Sequence, residues 1–235
     1  MPKKILITGC GGFVGLNLVR QLDIKKYRIT CVSRKIDDKN AVSCYDKKSI
    51  KEAIKSSDVV IHLAAITNPF DRDIWKINVD YTRFLVGEAK KYNKRFVYIS
   101  TQNVLFGKDN YSNTKRKAED MVKTLKDFVI LRPAVVYGKE GGRYIERLVK
   151  IVKNCPVVPI IGDGRNMLQP VYLGDLVKII ENCINSKVRG IFLVAGQSAV
   201  TYNELVDLII KKLKVKRLKI HVPVFIIKPF PHKNS

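Results

Sequence analysis

The chain has 235 residues, of which 46% are hydrophobic and 9% aromatic, and its formal net charge is +23. This length and composition can fill one sizeable core, and they exclude a disordered or collagen-like chain. Lys and Arg are spread along the whole sequence, which favours a solvated basic surface over a clustered nucleic-acid footprint. The same positive field would attract an anionic ligand.

Neither the cysteines nor the apolar runs indicate an exported or membrane protein. The five cysteines have neither CxxC nor metal-ligand spacing, and most lie in apolar runs. This pattern predicts reduced thiols in a cytoplasm and no metal site. The start MPKKILITG is unlike a signal peptide because its apolar run is short and leads directly into a glycine turn. The longest apolar runs are too short to span a bilayer.

Short apolar runs alternate with amphipathic stretches along the chain. In chain order, the pattern predicts strand KKILIT, a helix over 12–22, strands RITCVS and AVSCY, helix DKKSIKEAIKSS, strand DVVIHLAA, a helix over 75–92, strand RFVYIS, a helix over 113–126, strand FVILRPAVVYG, helices RYIERLVKIVKN and DLVKIIENCI, strand GIFLVA and helix YNELVDLIIKKL. Continuously apolar strands alternating with helices indicate a parallel sheet that is covered on both faces.

A glycine-rich turn joins the first predicted strand to the first helix. The stretch ILITGCGGFVG places Gly9, Gly12 and Gly15 there. Glycine adopts the backbone angles of such a turn at little cost, and its missing side chain lets a pyrophosphate approach the backbone. The N–H groups at the start of the helix, at Phe13 and Val14, would meet the ligand's charge. This context predicts a dinucleotide site, and the alternative is a glycine-rich turn without a ligand.

The end of the second predicted strand, CVSRK, bears on which dinucleotide is bound. An NAD-selective site usually has an acidic residue there, which bonds the ribose hydroxyls. Ser33 and Arg34 occupy the position instead, and an arginine can pair with a 2′-phosphate. NADP is therefore preferred over NAD, unless Arg34 simply points to solvent.

Seven stretches follow one another in a fixed order: TGCGGFVG, VVIHLAA, NVDYTRFLVGEAKK, FVYIST, YSNTK, LRPAVVYG and IGDGRNMLQPVYLGDL. Together they resemble the extended or atypical short-chain dehydrogenases/reductases, the branch with nucleotide-sugar epimerases, dehydratases and reductases. The resemblance implies a single α/β domain over 1–235, built on a Rossmann-type doubly wound parallel sheet. The dinucleotide-binding core would cover about 1–137 and 171–196. A small C-terminal substrate lobe would cover about 138–170 and 197–235.

The resemblance also implies further cofactor contacts. Besides the glycine turn, Ser33 and Arg34, they are Leu63, Ala64, Ala65, Tyr111, Lys115 and Pro133.

Lys115 lies four positions after Tyr111, so on a helix the two residues share one face. An ammonium about 5 Å from the tyrosine hydroxyl, at an effective dielectric of about 20, would favour the phenolate by roughly 3 kcal/mol. That is on the order of two pKa units, enough to bring a tyrosine towards acid–base range. In the family that this chain resembles, the tyrosine exchanges a proton with the substrate oxygen, and the lysine bonds the nicotinamide ribose. An accidental Y-x-x-x-K on a lysine-rich helix is the alternative.

In the family that this chain resembles, the third catalytic residue is a Ser or Thr that follows the strand preceding the tyrosine helix. The stretch STQNVLFG is similar to S-T-D-x-V-F-x-G of dTDP-4-dehydrorhamnose reductases, and that register assigns the role to Thr101. A register anchored on Gly107, as in many epimerases, would assign it to Gln102. Thr101 is preferred because its hydroxyl can both donate and accept a hydrogen bond.

The sequence departs from the resembling family in its substrate region. The loop from Thr101 to Tyr111 is about half the expected length, and Leu168 occupies a position where many relatives hold an arginine for the substrate diphosphate. Arg143 and Arg165 are the candidates to replace that arginine. The remaining candidates for substrate contact are Gln102 and Asn103, next to Thr101.

Three functions remain open from the sequence. The preferred one is an NAD(P)-dependent epimerase or reductase that acts on a sugar-like, nucleotide-linked small molecule. The alternatives are a cofactor-binding sensor or assembly protein without chemistry, and an RNA-associated relative, which only the charge supports. No membrane partner is predicted and nucleic acid is not favoured. The oligomeric state is open, although the family often forms homodimers.

Overall fold

The computed structural model describes residues 1–33, 41–139 and 142–223, and Arg143 by its backbone alone. The chain divides into two compact units. Unit 1 consists of Met1–Ala134 and Tyr172–Val194, and unit 2 consists of Val135–Val171 and Ala195–Ser235.

The elements follow the predicted alternation. The strands are β1 Lys3–Thr8, β2 Tyr27–Ser33, β3 Ala41–Ser43, β4 Val59–His62, β5 Arg95–Ile99, β6 Phe128–Pro133, β7 Val136–Tyr137, β8 Val157–Ile161, β9 Met167–Leu168, β10 Val171–Tyr172, β11 Gly190–Val194, β12 Val200–Thr201 and β13 Leu218–Val222. The α-helices are α1 Phe13–Gln21, α2 Lys47–Ser56, α3 Thr82–Lys91, α4 Asn110–Val122, α5 Arg143–Asn154, α6 Leu173–Asn185 and α7 Tyr202–Leu213. A π-helical segment, Lys76–Tyr81, leads into α3, and a 3-10 turn, Gln102–Leu105, follows β5.

Unit 1 is built on a parallel sheet. Its seven strands, counted over the described residues, have the order β11-β6-β5-β4-β1-β2-β3. Every residue of β4 and β5 is buried, because helices cover both faces of the sheet. The strand order reverses between β1 and β4, and ligands of such sheets bind outside the carboxyl ends of the strands at that point. The predicted Rossmann-type fold class is confirmed.

Unit 2 has a separate small core. Its buried residues are Leu148, Val152, Val158, Ile160, Val206 and Ile209. Strand β13 pairs with β8 in parallel, and β12 pairs with β9 in antiparallel orientation. Among the helices formed by described residues, none has both the length and the apolar character needed to cross a membrane.

Several predicted boundaries differ from the structure; strand DVVIHLAA, for example, ends at His62. Helix α4 begins at Asn110 rather than at residue 113, because the Asp109 carboxylate accepts a 2.7 Å hydrogen bond from the N–H of Ser112 and caps the helix. Tyr111 therefore lies in its first turn. The predicted strand FVILRPAVVYG is interrupted after Pro133 and forms β6 and β7.

Candidate active site

The glycine turn is packed too closely for side chains at two of its positions. Gly9 has a φ of 79°, and a Cβ there would lie 2.6 Å from the backbone N of Ala64. A Cβ on Gly15 would lie 2.2 Å from the carbonyl oxygen of Gly9. Gly12 precedes α1, and its N–H donates to the same carbonyl at 3.0 Å. The turn therefore depends on the absence of side chains.

The start of α1 is suited to an anion. Within the described residues no side chain caps the helix, and its first turn contains no acidic residue. The N–H groups of such a helix start carry partial positive charge and attract phosphate groups. Phe13 and Val14 form the first turn, as predicted. These features fit the pyrophosphate of a dinucleotide.

Most of the other predicted cofactor residues lie at the carboxyl ends of strands. Ser33 ends β2, and Pro133 ends β6. Leu63, Ala64 and Ala65 follow β4, and the N–H of Leu63 donates to the Thr8 carbonyl at 3.1 Å. Because the strands are parallel, these ends lie along one edge of the sheet with the glycine turn. Arg34 lies outside the described residues.

The three predicted catalytic residues converge at the end of β5. Thr101 follows the strand, is 9% exposed, and accepts a 3.3 Å hydrogen bond from the N–H of Asn103. The Thr101 side chain is near enough to the Tyr111 hydroxyl to lower its pKa. Lys115, one helical turn after Tyr111, is 2% exposed and its Nζ donates to the Ile99 carbonyl at 2.6 Å. Strand β5 and helix α4 thus bring an alcohol, a phenol and an amine together.

The predicted effect of Lys115 on Tyr111 is wrong for this structure. Burial raises the pKa of Tyr111 to about 12, the neighbouring Thr101 side chain lowers it, and the Asp109 carboxylate raises it. Lys115 is not among the groups that shift this pKa, and its Nζ donates to the Ile99 carbonyl. Sequence spacing alone could not reveal how deeply the Tyr111 hydroxyl is buried. Tyr111 therefore holds its proton at neutral pH.

Lys115 is held by a network that the sequence argument did not identify. Its Nζ lies 4.1 Å from the ring centroid of Tyr98, a cation–π contact. Burial lowers the pKa of Lys115 to about 7, and the Glu119 carboxylate raises it. Glu119 is 1% exposed and forms a bidentate ion pair with Arg132, at 2.9 Å to Nε and 2.5 Å to Nη2. A carboxylate four residues after Lys115 and an arginine in an apolar strand were the available signals.

His62 connects the two parts of the site. It is fully buried, with Nδ1 2.6 Å from Thr8 Oγ1 and Nε2 2.8 Å from Thr82 Oγ1. Its ring stacks on Tyr98 at a centroid distance of 5.4 Å. Burial, and secondarily the Lys115 charge, lowers its pKa to about 3. The imidazole is therefore neutral at physiological pH and forms part of the buried core beneath the site.

Asn78 was also missed. It is 1% exposed, and its amide both accepts from the N–H of Ile66 at 2.8 Å and donates to the Ile66 carbonyl at 2.9 Å. The same amide donates to Thr114 Oγ1 at 3.1 Å. Asn78 therefore joins the loop after β4 to the helix that bears Tyr111. The available signal was its place at the start of the stretch NVDYTRFLVGEAKK.

The predicted substrate residues fall in both units. Gln102 and Asn103 are partly exposed in the 3-10 turn of unit 1. Arg165 belongs to unit 2, where it is exposed and lies 3.9 Å from the Asp163 carboxylate. Arg143 begins α5 of unit 2, and its side chain lies outside the described part of the chain. Leu168 ends β9.

Comparison with known proteins identifies relatives over almost the whole length. The family model described as the RmlD substrate binding domain matches residues 3–234. Spore coat polysaccharide biosynthesis protein SpsK of Bacillus subtilis (strain 168) is 25% identical over 231 residues, which cover 89% of this chain and 79% of the relative. UDP-glucose 4-epimerase of Vibrio cholerae is 28% identical over 268 residues, which cover 98% and 82%.

A solved structure gives the same answer for the fold. The crystal structure of dTDP-4-dehydrorhamnose reductase from Bacillus anthracis str. Ames in complex with NADP has a TM-score of 0.83 at 21% identity, and the match covers 97% of this chain and 86% of that chain. The predicted family is also confirmed. The chain belongs to the RmlD substrate binding domain family, within the extended short-chain dehydrogenases/reductases, a family of NAD(P)-dependent oxidoreductases, epimerases and dehydratases.

Proposed function

We propose that this protein is an NAD(P)-dependent reductase or epimerase that acts on a carbonyl or hydroxyl group of a sugar-like, nucleotide-linked substrate. The convergence of Thr101, Tyr111 and Lys115 at the end of β5 supports this proposal most directly. The glycine turn lies on the same edge of the sheet, which is where such a cofactor would be held. Relatives named for UDP- and dTDP-linked sugars support the substrate class.

The cofactor would be held by the glycine turn, the start of α1 and the residues that follow β2, β4 and β6. When bound, NAD(P) would supply or accept a hydride. NADP is proposed rather than NAD because Ser33 and Arg34 stand where an NAD-selective site usually has an acidic residue. This preference stays a prediction.

Each catalytic side chain has a distinct role in this proposal. The Thr101 hydroxyl orients the reacting substrate oxygen by a hydrogen bond. Tyr111, protonated at neutral pH, donates its proton to that oxygen during reduction and takes it back in the reverse direction. Lys115, one turn away on the same helix, would bond the nicotinamide ribose of the cofactor, as the family resemblance implies.

We propose that unit 2 is the substrate lobe, with Arg143 and Arg165 as candidates for binding a diphosphate. Gln102 and Asn103 would contact the sugar part of the substrate. A cytoplasmic location is proposed because all five cysteines are free thiols. A homodimer stays a prediction from the family resemblance.

The Tyr111→Phe variant tests the proposal. It removes the hydroxyl that transfers the proton and leaves the ring in place. Turnover should fall by about 10²–10⁴-fold, the usual contribution of general acid–base catalysis. NADPH affinity should change little. The assays are NADPH oxidation with dTDP-4-dehydrorhamnose, conversion of UDP-glucose to its 4-epimer, and NADPH titration by fluorescence.

Tyr92→Phe is the matched control, since Tyr92 lies at the end of α3 and contacts Lys91 through its ring. It should leave turnover and NADPH affinity unchanged. Full activity of Tyr111→Phe would refute the assigned acid. NADPH binding by the wild-type protein without turnover of either substrate would favour the sensor hypothesis instead.

A further inference from the structure

The loop that joins β5 to α4 determines where Thr101 lies relative to Tyr111. It is short, and it contains the 3-10 turn Gln102–Leu105. Leu105 and Phe106 are 55% and 66% exposed, so these apolar side chains anchor the loop only weakly. Val104 is the buried apolar side chain of the 3-10 turn, and polar contacts to the helix supplement it.

Arg116, which directly follows Lys115, makes that connection. Its Nε donates to the Val104 carbonyl at 3.0 Å, and its Nη2 donates to the Gly107 carbonyl at 2.9 Å. Its Nη1 donates to Asn113 Oδ1 at 2.8 Å, and the Asn113 amide in turn donates to the Lys108 carbonyl at 3.2 Å. Two side chains of α4 therefore bind three backbone carbonyls of the loop. We call these contacts the Arg116 clamp.

The loop lies directly on the first turn of α4. A Cβ on Gly107 would be 2.1 Å from Ser112 Oγ and 2.8 Å from the Asn103 carbonyl oxygen. The N–H of Gly107 donates to that same carbonyl at 2.7 Å. This contact leaves little room for the loop to shift while the guanidinium bonds hold. Because Thr101 is the N-cap of the 3-10 turn, any shift of the turn would also displace its hydroxyl.

We propose that Arg116 is a positioning residue, which keeps the Thr101 hydroxyl within hydrogen-bonding reach of Tyr111. The inference rests on the proposed function. It assigns to Arg116 the task of holding a short loop in a fixed position next to α4. The planar guanidinium has donors in a fixed fork and binds both loop carbonyls at once. A lysine ammonium is a compact point charge on a flexible stem and cannot reproduce that geometry.

The test compares Arg116→Met, Arg116→Lys and Arg116→Ala with the wild-type protein, using NADPH and dTDP-4-dehydrorhamnose or UDP-glucose. For Arg116→Met and Arg116→Lys, kcat should fall by about 10–100-fold, the effect of a small misplacement of catalytic groups, while the NADPH Kd stays unchanged. Added guanidinium should restore part of the kcat of Arg116→Ala. Arg83→Met is the control, since Arg83 forms an exposed ion pair with Asp80 and should tolerate the same change.

A second measurement separates this inference from the proposed function. Hydrogen exchange of the amides in 102–110 should be faster in Arg116→Met than in Arg83→Met. Equal exchange, or a kcat of Arg116→Met equal to that of the control, would overturn the clamp. If the wild-type protein neither binds NADPH nor converts either substrate, the proposed function fails, and the exchange rates alone decide whether Arg116 holds the loop.

Discussion

The glycine turn and the segment from β5 to α4 meet at one edge of the sheet, but they are held in place by opposite means. In the turn, backbone packs on backbone, and a Cβ on Gly9 or Gly15 would lie within 3 Å of another residue's main chain. In the β5–α4 segment, Lys115 and Glu119 are buried and depend on specific partners. The difference teaches that the turn is sensitive to atoms added at Gly9 and Gly15, whereas the β5–α4 segment is sensitive to the loss of a buried charge.

The largest effect on stability is expected from breaking the buried ion pair. Glu119→Gln leaves the Arg132 guanidinium without its carboxylate and should lower the free energy of unfolding by about 3–5 kcal/mol. Chemical denaturation measures this change. Asp80→Asn breaks the exposed pair with Arg83 and should cost only about 0–1 kcal/mol. Equal costs for the two variants would mean that the β5–α4 segment does not depend on buried charge.

An intermediate effect is expected in the glycine turn. Gly15→Ala forces a Cβ against the Gly9 carbonyl and should destabilise the fold by about 1–3 kcal/mol, the usual cost of overpacking. A Cβ on Gly11 would meet nothing within 4 Å, so Gly11→Ala should change the free energy of unfolding by less than about 0.5 kcal/mol. Thermal denaturation compares the two. Similar losses would contradict the close packing that distinguishes these neighbouring glycines.

Over a single pH unit, the smallest effect concerns His62, which hydrogen-bonds Thr8 beside the glycine turn and stacks on Tyr98 beside Lys115. The folded protein keeps His62 neutral down to its pKa of about 3, whereas the unfolded chain takes up a proton below 6.5. Acidification from pH 6.5 towards 3 therefore favours unfolding, by up to about 1.4 kcal/mol per pH unit from this group.

His62→Gln removes that titration. Its free energy of unfolding should fall less steeply with acidification than that of the wild-type protein between pH 6.5 and 5, measured by denaturant titration at each pH. Identical slopes would show that His62 is not kept neutral. The imidazole would then not be the desolvated link between the two halves.

The order of strands and helices, the family and the glycine turn could be predicted from local patterns. Apolar periodicity reports which side chains are buried, and the spacing of Gly9, Gly12 and Gly15 reports where backbone must approach backbone. The grouping of Thr101, Tyr111 and Lys115 came from the family resemblance and from the four-residue spacing that puts Tyr111 and Lys115 on one helix face. These features depend on residues close in sequence or on a rule of topology.

The partners of the catalytic groups were decided by the tertiary structure alone. Helix α4 places Glu119 next to Lys115, but only the pairing of β5 with β6 brings Arg132 to that carboxylate. The pKa of Tyr111 rises rather than falls because the hydroxyl is buried, and Lys115 is not among the groups that shift it. Desolvation and long-range hydrogen bonds depend on every element that packs around a group. They therefore cannot be predicted from the spacing of residues in the sequence.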